Sequence, residues 1–184
     1  MAVEKKKFFE IDIPIVGEKV ELLGINEESL IGRTINLDLT RKLRGKSVEA
    51  MFKVKSVDGK LAIQPLRLHL LGYFIRRMIR TSISYIEDSF SVECKDFIIR
   101  VKPFMMTRKK VSRTIKRAIR DKAKEVIQEE VKEKSFEEIF SDIISTKFQR
   151  NLSIKLKKVY PLGFCEIRDI FIESEKAEIS VEKI

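Results

Sequence analysis

The stretch at residues 91–134 reads SVECKDFIIRVKPFMMTRKKVSRTIKRAIRDKAKEVIQEEVKEK. Its first part, residues 91–102, predicts two strands joined at Lys95-Asp96, and Pro103 is expected to end the second strand. From about Ser112 to Lys134, apolar residues recur at helical spacing and form one long stripe. Strands that lead directly into a long amphipathic helix favour an α+β fold.

Upstream of this stretch the pattern is mainly that of strands. Residues 30–39, 48–56 and 60–63 alternate in part between apolar and polar side chains, and Asp58-Gly59 is typical of a hairpin turn. From Leu68 the period changes, and Leu71, Phe74, Ile75, Met78 and Ile79 fall at helical spacing. This part of the sequence therefore predicts a hairpin followed by a short amphipathic helix.

Downstream, two further helices and one strand are expected. Ser135 and Glu138 form a capping box that begins a helix, and a second helix at about 151–159 is ended by Tyr160-Pro161. Residues 165–172 predict a closing strand. We predict a single globular domain over 1–184, strand-rich at 8–103 and helix-rich at 104–160, with a polar tail at 173–184 that frays.

The net charge of +10 is concentrated in the middle of the chain. Residues 1–60 hold 12 Lys and Arg against 10 Asp and Glu, residues 61–120 hold 14 against 4, and residues 121–184 hold 12 against 14, which gives +2, +10 and −2. A charge excess confined to one part of a chain produces a directed field, and a phosphate backbone is its natural partner.

The cations of that middle part form the predicted RNA-binding site. The run at 108–120 contains seven of them and no acid, and a second group lies at 76–80. We expect contacts mainly to the RNA backbone, because A-form duplexes hide their base edges in a deep, narrow groove. The predicted residues, with Lys157 and Lys158 as a weaker second patch, are Arg76, Arg77, Arg80, Arg108, Lys109, Lys110, Arg113, Lys116, Arg117, Arg120, Lys157 and Lys158.

Little in the sequence indicates catalysis or a cofactor. His69 is the only histidine, Cys94 and Cys165 show no metal-binding spacing, and no glycine-rich nucleotide-binding motif occurs. We expect His69 to pack at a helix start, both cysteines to be reduced, and the protein to be a non-enzyme with no metal and no cofactor. No apolar run approaches the ~20 residues of a membrane span, so we predict a cytoplasmic protein without a membrane partner.

Three functional classes share these features. A structural ribosomal protein and an extra-ribosomal RNA-binding regulator would both use the basic region, and stoichiometric presence in ribosomes separates them. A metal-dependent nuclease would need paired acids such as Glu87-Asp88 or Glu129-Glu130, although neighbouring acids usually diverge toward solvent.

An ordered set of motifs resembles the archaeal and eukaryotic small-subunit ribosomal protein family S-one-e, formerly S-three-a-e. The most specific block is SFEEIF at 135–140, KKVYPL at 157–162 and EIR at 166–168. Shorter matches upstream occur in the same order: LIGR at 30–33, DLT at 38–40, FKV at 52–54, IRR at 75–77, RVKP at 100–103 and KRAIR at 116–120.

The resemblance implies a fold, a role and a set of partners. The fold would be α+β, with an antiparallel, barrel-like β-sheet packed with several α-helices. The role would be that of a structural component of the small subunit that takes part in translation. The implied partners are small-subunit ribosomal RNA, neighbouring small-subunit proteins and messenger RNA near its exit.

Overall fold

The chain divides into two compact units, and the boundary lies between Leu68 and His69. The computed structural model describes residues 6–43, 45–57 and 60–175. The predicted turn at Asp58-Gly59 and the predicted frayed tail beyond residue 175 lie outside the described residues. The units are called unit 1 and unit 2 below, in chain order.

Unit 1 consists of short antiparallel strands around a small apolar core. Its elements are β1 (Lys7–Ile13), β2 (Glu18–Gly24), a 3-10 helix (Glu27–Leu30), β3 (Thr34–Asp38), β4 (Val48–Val57) and β5 (Lys60–Leu70), which carries the unit boundary. β1 pairs with β2, and β3 pairs with β4. Ile11, Ile35 and Val54 are buried together, so alternate residues of these strands form the core.

Unit 2 is built around one long central strand. Its elements are α1 (Gly72–Met78), β6 (Tyr85–Glu87), β7 (Phe90–Glu93), β8 (Phe97–Thr107), α2 (Arg113–Lys132), α3 (Phe136–Ile144), α4 (Lys147–Leu156) and β9 (Leu162–Glu175). β8 pairs with β9, with β6 and with β7, always antiparallel. α2 packs against β6, β7 and α4, and α4 also packs against β9.

The predicted α+β class is confirmed, whereas barrel-like is too strong a description. Antiparallel strands and four α-helices are present. Over the described residues, the strands form open sheets that do not close on themselves. Closure would require each strand to have hydrogen-bonded neighbours on both sides.

Pro103 does not end the predicted second strand of residues 91–102. β8 continues to Thr107, and its register against β9 shifts between Lys102 and Pro103. A proline lacks the N–H that a strand ladder needs, and a bulge accommodates this loss without ending the strand. The extension matters because it places Thr107 and the cations after it at the end of the sheet.

α1 begins later, and α4 earlier, than the sequence pattern predicts. Residues 68–70 belong to β5, and α1 begins at Gly72, so His69 lies in a strand and not at a helix start. Its Nδ1 lies 3.6 Å from Oδ1 of the buried Asp169. α4 covers Lys147–Leu156 instead of residues 151–159, and the closing strand is longer than 165–172 at both ends.

The helix after Ser135 confirms the predicted capping box. The Glu138 N–H donates to the Ser135 hydroxyl, and the Ser135 N–H donates to the Glu138 carboxylate. Each bond satisfies a backbone or side-chain group that the helix start leaves unpaired. The apolar face of α3 is buried through Phe136, Ile139 and Phe140, as their spacing predicts.

Candidate nucleic-acid interface

One end of the unit 2 sheet collects the chain segments that carry the predicted cations. Tyr85, the first residue of β6, pairs with Met106, and Leu162, the first residue of β9, pairs with Thr107, the last residue of β8. In antiparallel pairing, the start of each neighbouring strand lies beside the end of β8. Arg76, Arg77 and Arg80 precede β6, Lys157 and Lys158 precede β9, and Arg108 follows β8.

Two hydroxyl side chains join the segments before β6 and after β8. The Ser84 N–H donates to Oγ1 of Thr107 at 3.1 Å, and the Thr107 N–H donates to the Ser84 carbonyl at 2.9 Å. The Val111 N–H donates to Oγ of Ser84 at 3.2 Å. Oγ1 of Thr107 lies 2.6 Å from the Lys109 carbonyl and 3.0 Å from the Ser84 carbonyl, so its single hydrogen serves one of them at a time.

These hydrogen bonds hold the basic segment in place before any ligand is bound. Ser84 and Thr107 are only 6% and 1% exposed, and the groups that they satisfy include the Lys109 carbonyl and the Val111 N–H. Buried polar groups are costly to leave unpaired, by about 1–3 kcal/mol each, which favours one arrangement of the segment. The side chains of Arg108, Lys109 and Lys110 are nevertheless exposed.

The cations of α2 lie in one row along its first half. Arg113, Arg117 and Arg120 are spaced four and three residues apart, and Lys116 lies between Arg113 and Arg120 at the same helical spacing. Four residues beyond Arg120, the exposed Lys124 extends the row, and its Nζ lies 5.7 Å from the centre of the Phe90 ring. The acids of α2 are Asp121, Glu125, Glu129 and Glu130, and Asp121 borders the row, four residues after Arg117.

This arrangement has an energetic cost within the isolated helix. No acid lies in the first turn of α2, and only Ser112 caps it, by accepting from the Ile115 N–H. Cations near a helix N-terminus are disfavoured by about 0.3–1 kcal/mol each at low salt. A ligand with negative charge at this end would offset that cost, which is why the placement favours phosphate binding.

Most cations of the predicted site lack an ion pair, in contrast to other cations of unit 2. Outside the site, Arg100 pairs with Glu173 at 2.6 Å and Arg168 pairs with Glu87 at 2.9 Å. Among the predicted site residues, the only ion pair within the described chain is Arg117 with Asp121, at 3.8 Å and well exposed to solvent. Exposed cations that the protein does not neutralise are available to an outside anion.

Contacts with Ser91 and Arg100, farther from this end of the sheet, lower the pKa of Glu173. The Ser91 hydroxyl donates to one oxygen of Glu173, and the Arg100 guanidinium donates to the other at 2.6 Å. The Ser91 hydrogen bond, followed by that of Arg100, lowers the pKa of Glu173 below its ordinary value. This carboxylate therefore stays ionised and neutralises Arg100, so Arg100 does not add to the free positive charge.

Arg77 and Arg108 are positioned by contacts of their own. The Arg77 guanidinium carbon lies 5.5 Å from the centre of the Phe74 ring, within the range of a cation–π contact. A Cβ placed on Gly163 would lie 3.8 Å from Cγ of Arg108, so the stem of Arg108 runs beside the start of β9. Both contacts involve aliphatic or planar parts of the side chain and leave the charge exposed.

Lys157 and Lys158 lie in the turn that leads from α4 into β9. Both are exposed, and Leu162, four residues after Lys158, pairs with Thr107. Four residues reach about 14 Å when extended, and paired Cα atoms are about 5 Å apart, so Lys158 lies within roughly 20 Å of Thr107. This second patch therefore approaches the same end of the sheet as the main run.

We use the term cationic surface for the exposed side chains of this end of unit 2. It contains the predicted cations before β6, in the segment after β8, on α2 and before β9, together with Lys124, which the sequence reasoning missed. Lys124 could have been found from its spacing to Arg117 and Arg120. Ser84 and Thr107 could not, because no local pattern relates residues 23 positions apart.

The cysteines and the acids show no arrangement of their own that would indicate chemistry. Both cysteines are reduced: the Cys94 thiol donates to the Phe97 carbonyl at 3.0 Å, and burial raises the pKa of Cys165 to about 12. Among the described residues, no group of three or more His, Cys, Asp or Glu side chains is placed to hold a metal ion. None of the described helices is long and apolar enough to span a membrane.

An α+β protein with an open antiparallel sheet and one unneutralised cationic surface has the features of a basic, polyanion-binding protein. Comparison with known families identifies it further. The chain belongs to the Ribosomal S3Ae family, whose model matches residues 2–175. The resemblance read from the KKVYPL and EIR motifs is thereby confirmed.

Several curated proteins are similar to this chain over most of their length. The small ribosomal subunit protein eS1 of Nanoarchaeum equitans is 28% identical over 184 residues, which cover 96% of this chain and 93% of the relative. The eS1 protein of Halorubrum lacusprofundi is 25% identical, with 98% and 87% covered. That of Saccharolobus islandicus is 29% identical, with 88% and 82% covered.

Replacing Thr107 with valine tests whether the hydroxyl bonds hold the basic segment. Valine has nearly the same shape but leaves the Ser84 N–H without its acceptor. We expect the free energy of unfolding in urea to fall by about 1–3 kcal/mol. RNA affinity should fall several-fold with an unchanged salt slope, since no cation is removed.

Thr114→Val is the matched control for Thr107→Val. Thr114 is exposed at the start of α2, and its hydroxyl makes no hydrogen bond within the described chain. We expect a change in stability within about 0.5 kcal/mol and an unchanged affinity. Equal behaviour of the two variants would contradict the positioning role of Thr107.

Proposed function

We propose that this chain is a structural protein of the small ribosomal subunit and that it binds ribosomal RNA through the cationic surface. Membership of the Ribosomal S3Ae family and the relatives named small ribosomal subunit protein eS1 support the ribosomal role. The observation that supports the RNA contact is the set of largely exposed cations at one end of the unit 2 sheet, of which Arg117 alone makes an ion pair within the described chain.

The proposed binding residues are the twelve cations predicted from the sequence. Arg108, Lys109 and Lys110 would meet RNA phosphates from the segment that Ser84 and Thr107 hold, and the row on α2 would continue the contact. Arg76, Arg77 and Arg80 would approach from the segment before β6. Contacts of this kind position a protein on RNA and make its affinity depend strongly on salt.

The proposal includes further partners and a location. We propose contacts with neighbouring small-subunit proteins and with messenger RNA near its exit, and we place the protein with the ribosome in the cytoplasm. A structural role in translation requires no reaction at this surface. The competing function, an RNA-binding regulator outside the ribosome, would use the same cations but would not be present in every small subunit.

Sedimentation of native extract through a density gradient tests the ribosomal role. We expect the protein to migrate with small-subunit RNA at one copy per subunit at low salt, and to remain there at high salt. Retention at high salt is expected because an integral component has contacts beyond the counterion-dependent ones. Migration away from the subunit, or a content well below one copy, would favour the regulator and overturn the proposal.

A further inference from the structure

Two half-exposed tyrosines lie among the cations of the cationic surface. Tyr73 of α1 is 52% exposed and Tyr85 of β6 is 53% exposed. Within the described chain, neither ring stacks on another ring or on a cation, and neither hydroxyl has a hydrogen-bond partner. An exposed tyrosine ring beside cations offers an apolar face on which a planar ligand can stack.

Tyr73 shares a helix face with two arginines. Arg76 and Arg77 are three and four residues after Tyr73, and all three are exposed. The opposite face of α1 is buried through Phe74 and Ile75. Tyr73 therefore shares the solvent side of the helix with two arginines.

Tyr85 lies on the same side of the sheet as α1. Tyr85 pairs with Met106, and Met106 pairs with Phe164 of β9, so the three residues form one row across the sheet. Directly paired residues of antiparallel strands point to the same face. The rings of Phe164 and Phe74 have centroids 6.3 Å apart, which places α1 on that face.

The two tyrosines are close enough for one short nucleic-acid segment. Neighbouring strands are about 4.8 Å apart, so Tyr85 and Phe164 are separated by two such spacings, roughly 10 Å. Tyr73 is adjacent in sequence to Phe74, which packs on Phe164. Tyr85 in turn follows Ser84, which is bonded to Thr107 and Val111 in the basic segment.

We propose that the cationic surface binds unpaired RNA, with one base stacked on Tyr73 and another on Tyr85, while the surrounding cations contact the phosphates. The inference rests on the proposed function and specifies its ligand as a loop, bulge or single-stranded segment. Aromatic side chains can stack on a base only when that base is free of its own helix, and cations interleaved with aromatics are typical of single-strand binding. A duplex would engage the cations but not the rings.

The test compares binding of the full chain to an unpaired RNA and to a duplex of the same length. In the double variant Tyr73→Leu with Tyr85→Leu, we expect affinity for the unpaired RNA to fall at least tenfold, since each stacked base contributes about five-fold or more. Affinity for the duplex and the salt slope for both RNAs should be unchanged, because every cation is retained. Both residues are half exposed, so the substitutions should leave the fold intact.

The conservative variant Tyr73→Phe with Tyr85→Phe supplies the matched control. It keeps both rings, so affinity for the unpaired RNA should return to within about two-fold of the original. Tyrosine fluorescence adds a direct readout, because the chain has no tryptophan and three tyrosines. Binding of unpaired RNA should quench the parent protein, and in the phenylalanine variant, where only Tyr160 remains, the quenching should be lost while binding persists.

The outcomes separate this inference from the proposed function. Unchanged affinity of the leucine variant for unpaired RNA, in a protein that still binds both RNAs in a salt-dependent way, would overturn the stacking inference and leave the cationic contact standing. Equal loss of affinity for both RNAs would also overturn it, because that pattern indicates a general disturbance of the surface. Absence of binding by the parent protein to either RNA at low salt would overturn both.

Discussion

Replacing Arg113, Lys116 and Arg117 together with glutamine is expected to lower affinity for small-subunit RNA by roughly 100- to 500-fold at 0.1 M salt. Each phosphate contact contributes about 0.7–0.9 to the slope of log affinity against log salt, so three lost contacts lower that slope by about 2–3. Filter binding or fluorescence anisotropy over 50–300 mM salt, roughly the range in which such slopes are resolved, measures both quantities.

The fold of this triple variant should be unaffected or slightly more stable. All three positions are on the solvent side of α2, and glutamine forms helices about as well as arginine and lysine do. Because the cations lie in the first turns of the helix, their removal relieves an unfavourable interaction with the helix dipole of about 0.3–1 kcal/mol each. A loss of RNA affinity accompanied by unchanged unfolding in urea can then be assigned to the lost charges.

A second triple variant with the same change in charge provides the control. Lys95, Lys132 and Lys147 are exposed and make no ion pair within the part of the chain that the structure describes. Lys95 lies in the turn between β7 and β8, Lys132 is the last residue of α2 and Lys147 is the first of α4, all outside the cationic surface. Glutamine at these three positions should change affinity by less than about tenfold. Comparable losses in the two variants would contradict a localised site and indicate a general effect of net charge.

Replacing Phe136 with alanine is expected to lower the free energy of unfolding by about 3–5 kcal/mol. Phe136 begins α3 and is 0% exposed. Its ring lies 6.2 Å from that of Phe97 on β8, edge to face, and 6.0 Å from that of Phe140. Removing the ring leaves a cavity where the helices meet the sheet. A loss of this size is a large part of the 5–15 kcal/mol by which domains are typically stable.

Phe8→Ala is the matched control for the loss of Phe136. Phe8 is 71% exposed and faces Leu23 across the β1–β2 pair. Its removal should cost less than about 1 kcal/mol, because only a cross-strand contact is lost. Urea unfolding followed by circular dichroism measures both variants. Similar losses at the two positions would contradict the packing assigned to Phe136.

Local sequence patterns were sufficient to predict the helices whose capping residues and apolar spacing lie within a few residues of each other. The capping box at Ser135 and Glu138 predicted the start of α3, and the apolar spacing after Ser112 predicted α2 to within two residues at its end. Signals of this kind depend on neighbours in the same helix turn, so the sequence contains them in full. The motifs at 157–168 also sufficed for the family.

Other boundaries depended on partners far away in the chain. Pro103 stops neither β8 nor its pairing, because a bulge against β9 absorbs the missing N–H. The shift of α4 toward Lys147 and the extension of β9 to Leu162 likewise follow from packing and pairing that no local pattern encodes. Strand ends of this kind are decided by the neighbour that supplies the hydrogen bonds.

The sequence by itself determined the α+β class, the family and the concentration of cations in the middle of the chain, because composition, periodicity and motif order do not depend on distant contacts. Only the tertiary structure decided how those cations are arranged. The register of β6 and β9 against β8 brings separate segments to one end of the sheet, and Ser84 and Thr107 join them across 23 residues. The same pairing places Tyr85 and α1 on one face, since long-range hydrogen bonds determine which distant residues become neighbours.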